Sequence, residues 1–70
     1  MQDRRSSTQL LVGDRYRIEV SPLLGKWGVV VYELPGGRIV TDDLYPNRWQ
    51  AMARAYDFRR LLEMGARKAA

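Results

Sequence analysis

The stretch ARAYDFRRLLE, from Ala53 to Glu63, alternates small residues with arginines and then turns bulky and apolar. It is either a helix lying close on a sheet or a basic helix that grips a ligand. At 100° per residue, Ala51, Ala55, Phe58 and Leu62 fall on one stripe, with Met52 and Tyr56 beside it. Gln50, Arg54 and Asp57 fall on the far side, and Arg60 and Glu63 flank the stripe. Missing side-chain volume at the two alanines lets a helix approach a sheet, and Phe58 and Leu62 fill the wider end. The alanines therefore read as packing and the arginines as surface. Upstream, Pro46 cannot continue a strand, and Asn47 followed by Gln50 reads as a capping box. Helix is predicted over 47–64, with Gly65 as its C-cap.

The sheet comes from the residues before it. From Asp14 the chain alternates: Tyr16, Ile18 and Val20 on one face, Arg15, Arg17 and Glu19 on the other. Pro22 and Gly25 in SPLLG break that strand. KWGVVVYE, Lys26–Glu33, is β-branched and aromatic, with Trp27, Val29 and Val31 toward the core. LPGG turns the chain, and RIVT, Arg38–Thr41, returns as a short third strand. Short links favour an antiparallel meander. The expected fold is α+β: a three-stranded antiparallel sheet, over 14–20, 26–33 and 37–41, on one C-terminal helix. Residues 1–9 are expected to be a disordered arm, 10–65 one β-β-β-α domain, and 66–70 a basic tail.

A chain of 70 residues without cysteine has room for one small core and no disulfide or thiolate staple. No apolar run reaches the roughly 20 residues that span a bilayer. The expectation is a cytoplasmic protein, and the arginine-rich basic set suggests a bacterial or mobile-element source. Residues 1–45 balance six basic against six acidic side chains, so the whole net charge of +4 lies in 46–70. Such an excess attracts nucleic acid, membrane surface or acidic protein without choosing among them.

There is no His and no Cys, which removes the commonest general base, thiol nucleophiles and most zinc sites. Asp42 and Asp43 are neighbours on an extended chain and point to opposite faces, so they share neither a metal nor a proton. They read as a solvated pair leading into the helix. No enzyme, metal or cofactor is expected.

Binding remains. Arg15, Arg17, Lys26, Tyr32 and Arg38 are candidates for an outer sheet face that enters a DNA groove, with arginine on phosphates and base edges. Tyr45, Arg48, Trp49 and Arg59 form the alternative, an aromatic and arginine cluster for a protein partner such as a host complex met by a phage-type inhibitor or adaptor. A homodimer through a free strand edge is a further expectation, since so small a core gains from one.

Several residues resemble the plant-type ethylene-response-factor DNA-binding domain and its phage-integrase relatives. Gly25-Lys26-Trp27 is similar to the Gly-basic-Trp that opens that family's second strand. Arg38-Ile39 is similar to the Arg-Val that opens its third. Ala53-Arg54-Ala55-Tyr56-Asp57 matches its helix motif Ala-x-Ala-Tyr-Asp, with Gly65-Ala66 following. The resemblance implies a three-stranded sheet on a C-terminal helix that reads the major groove of double-stranded DNA with the sheet. Val30 and Tyr32 stand where the family carries a Glu and an Arg.

Overall fold

The structure is a computed structural model that describes the backbone of residues 7–69 and the side chains of 7–65. Four strands run in chain order, β1 (Thr8–Val12), β2 (Tyr16–Leu23), β3 (Lys26–Glu33) and β4 (Arg38–Tyr45), followed by α1 (Arg48–Ala69). All neighbours are antiparallel in the order β1-β2-β3-β4. The fold is α+β with an antiparallel sheet on one C-terminal helix, as the periodicities predict.

The sheet has four strands where three were expected. The added strand is β1, and Thr8 and Gln9, placed in the arm by sequence, open it. Leu10 stands opposite Ile18 and Val12 opposite Tyr16, so β1 extends the apolar side of β2. Residues 1–6 of the expected arm lie outside the described residues.

Two strands also run longer than predicted. β2 continues through Pro22 to Leu23. Pairing with β1 stops at Val20, so among the described residues β2 is locally an edge beyond it, where proline is tolerated. β4 continues through Asp42 and Asp43 to Tyr45. It too is an edge, and carboxylates there stay in water.

The core is one thin layer between sheet and helix. Val12, Ile18, Val20, Val29 and Val31 face Ala51 and Ala55, all buried, with Phe58 and Leu62 packed against the margin. Each large side chain buried this way is worth about 1.5–3 kcal/mol relative to exposure. Alanine at the two closest helix positions is what brings the backbones together.

The helix start is as predicted in one half of its cap. The Gln50 backbone N–H donates to Asn47 Oδ1 at 3.1 Å, while the Gln50 side-chain oxygen is enclosed with no hydrogen-bond partner. At the other end the helix passes through Gly65, the expected C-cap, and runs to Ala69. Gly65 does not take the positive φ of a cap. Ala66, Arg67, Lys68 and Ala69 are all strong helix formers, which offsets glycine's cost of about 1 kcal/mol. The 66–70 segment is thus helical to Ala69; its side chains, and Ala70, lie outside the described residues.

One turn is chemically mismatched. Leu24 and Gly25 form the two-residue link between β2 and β3, with φ of 54° and 76°, the signature of a type I′ hairpin. Glycine suits this conformation, but leucine pays about 1 kcal/mol to enter the left-handed region. Leu24 is also 89% exposed, so no burial offsets the strain. Leu24→Asn is expected to raise stability by about 0.5–1 kcal/mol, read as a higher urea midpoint at unchanged slope. An unchanged or lower midpoint would mean that the turn does not have this geometry.

Candidate interaction surfaces

Strand register fixes the face turned away from the helix. Alternation sends Leu11, Arg17, Tyr32 and Ile39 outward in one row, and Gln9, Glu19, Val30 and Asp42 in the next. Ser21, Gly28 and Leu44 form a third row, with Leu23 and Lys26 at the hairpin end. Leu11, Leu23, Ile39 and Leu44 are each at least half exposed. An open groove of about 380 Å³ runs over Gly28, lined by Leu23, Val30, Asp42, Asp43 and Leu44. Gly28 leaves the space: a Cβ there would meet Leu44 Cδ2 only at 3.7 Å.

The five residues predicted to contact DNA do not form one cluster. Arg17 and Tyr32 do meet: the guanidinium lies 4.7 Å from the ring centroid, a cation–π contact. Arg17 Nε is enclosed there without a hydrogen-bond partner. Arg15 lies in the β1–β2 link, where its carbonyl accepts from the Leu34 N–H at 2.7 Å. Lys26 is six residues from Tyr32 on the same strand, roughly 20 Å away at about 3.3 Å per residue. Arg38 pairs with Glu33 in the register that faces the helix side, and its guanidinium is 3.0 Å from the Glu33 carboxylate. Glu19 and Asp42 occupy the middle row. The side chain of Glu19 accepts a hydrogen bond from Gln9 Nε2 at 3.2 Å.

The second predicted cluster also separates. Tyr45 and Trp49 come together with Pro46, Gln50, Ala53, Arg54 and Asp57 around an open groove of about 410 Å³. Trp49 is 69% exposed. Arg48, though exposed, reaches across to the sheet instead, 5.9 Å from the Trp27 ring and 3.4 Å from Thr8 Oγ1. Arg59 lies over Tyr56 at 5.2 Å, and Arg54 over Phe58 at 4.5 Å. Arg60 pairs with Asp57 one turn back, at 3.3 Å. Arg54 and Arg59 are thus laid along aromatic neighbours on their own helix.

Among the described residues no group of three acidic, His or Cys side chains could hold a metal ion, and no helix is long and apolar enough to cross a membrane. The apolar outer set is what sequence reasoning missed. Its four members come from three strands, and only the register unites them. Comparison with protein-family models, curated proteins and solved structures finds no match for this chain.

Proposed function

We infer that this chain is a small non-enzymatic protein-interaction module, in the manner of an inhibitor or adaptor, that docks through its helix-free sheet face. The observation that carries the reading is the set Leu11, Leu23, Ile39 and Leu44, exposed on one face around half-buried Val30 and Tyr32. Large apolar side chains left exposed on either side of the Gln9, Glu19, Val30 and Asp42 row suit a protein partner. A duplex would instead call for cations in the middle of the face, where Glu19 and Asp42 stand. The exposed Trp49 beside Tyr45 offers a second anchoring point at the helix start.

The test places a photo-crosslinking residue at Gln9, on the outer face, or at Glu63, on the exposed part of the helix. The expected result is a discrete protein adduct from Gln9 and none from Glu63. The adduct disappears in Leu11→Ser/Leu23→Ser, whose stability stays within about 0.5 kcal/mol of wild type because both side chains are at the surface.

Double-stranded DNA is the second reading, and the observation in its favour is the charge excess on α1 around Arg54, Arg59 and Arg60. Its measurement is duplex affinity across a salt series, in which log K falls by about 0.9 per neutralised phosphate against log salt. Sequence-selective binding that persists near physiological salt and is lost in Arg54→Ala/Arg59→Ala would overturn the protein-docking reading. Weak binding that vanishes by that salt would leave the basic helix as general electrostatics.

A further inference from the structure

We propose that the free edge of β4 takes an extended segment of the partner as a fifth strand, and that this segment carries two successive basic residues. The inference rests on the protein-docking reading and specifies its partner. Among the described residues β4 pairs with β3 alone, and none of its residues from Arg38 to Tyr45 is buried. Along such an edge every second residue presents an N–H and a C=O with no ladder partner, a template for an added strand. The opposite edge, β1, is shorter, at five residues against eight.

The charges on β4 decide what is added. Asp42 stands beside Val30 on the outer face, and Asp43 beside Val29 on the helix side. The two carboxylates therefore straddle the edge, one on each face. A second copy of β4 paired antiparallel about this point would bring carboxylates against carboxylates, which is unfavourable across strands. A guest strand with adjacent Lys or Arg residues meets them in the opposite sense, one cation on each face. Two residues along the guest, an apolar side chain on the outer face would come opposite Leu44. It can lean into the groove over Gly28, between Leu23 and Leu44. Backbone pairing supplies affinity, and the acidic pair with its neighbouring groove supplies selection.

The probe is a short capped peptide alternating valine and threonine around a central Lys-Arg pair, labelled for fluorescence anisotropy. It is expected to bind the full chain, to slow amide exchange in Arg38–Tyr45, and to bind better than the same peptide with Glu-Glu at its centre. Asp42→Asn/Asp43→Asn should weaken it about three- to tenfold, and Gly28→Leu, which fills the groove, should weaken it further. N-methylation of alternate guest amides on the pairing side should abolish binding. Binding indifferent to N-methylation, or protection that falls on β1 rather than β4, would overturn the proposal, as would equal affinity for the acidic peptide. Leu11→Ser alone, on β1 at the opposite edge of the sheet, lies away from β4 and its groove. Loss of the Gln9 adduct in that variant while the peptide fails to bind would therefore remove the added strand and keep the docking face.

Discussion

Ile18→Ala is expected to cost about 2–5 kcal/mol and to leave a large fraction of the chain unfolded at 25 °C. Ile18 is fully buried at the centre of β2, between Leu10 on one side and Val31 on the other. Truncation there removes apolar contact with two strands and opens a cavity under the helix. A chain of 70 residues has about 4–10 kcal/mol to lose at the usual 0.05–0.15 kcal/mol per residue, and small domains sit toward the low end. Ile18→Val is the graded control, at about 0.5–1.5 kcal/mol. Urea unfolding followed by circular dichroism reads both. If Ile18→Ala moved the midpoint by less than about 1 kcal/mol equivalent, the helix would not cover the sheet where the structure places it.

The same layer explains how much was legible beforehand. β2 and β3 announce themselves because each has one buried face, so alternation at Tyr16–Val20 and β-branching at Val29–Val31 survive in the sequence. The helix does so because its apolar stripe repeats at helical spacing against a flat surface. The two edges are harder to read. In β1, Leu10, Leu11 and Val12 are all apolar although Leu11 points to solvent, which erases the alternation. In β4, Asp42 and Asp43 disfavour a strand by intrinsic preference, yet pairing with β3 on one side is sufficient when the other side is water.

The candidate site was less legible for the same reason. Tyr45 and Trp49 are close in sequence and flank one turn, so their meeting could be anticipated. The placement of Arg38 could not be anticipated, because an irregularity in the β3–β4 register, at Val31/Tyr32, sets it against Glu33. Nor could Leu11, Leu23, Ile39 and Leu44 be grouped without knowing that a fourth strand exists. Local pattern therefore carried the core, while long-range register carried the surface.

Ala55→Leu is the second substitution expected to be severe, and it answers the ambiguity of ARAYDFRRLLE. Ala55 has no exposed surface and sits where α1 comes closest to the sheet, among Val20, Val29, Val31 and Ala51. Three further carbons at a fully enclosed position must displace their neighbours, so either the helix lifts or the strands shift. Overpacking of this kind costs about 1–3 kcal/mol. Lifting the helix also withdraws Phe58 and Leu62 from the core margin, which pushes the cost toward the top of that range. Ala53→Leu makes the same chemical change two residues earlier, at an exposed position, and should stay within about 0.5 kcal/mol of wild type. Ala55→Gly controls the opposite direction, losing about 1 kcal/mol through helix propensity. Measured together, the three give a sharp pattern: costly at 55 in either direction, tolerant at 53. Equal costs at 53 and 55 would mean that this segment does not lie with its alanine stripe on the sheet. A stabilised Ala55→Leu would mean that the helix stands farther from β2 and β3 than its buried alanines require.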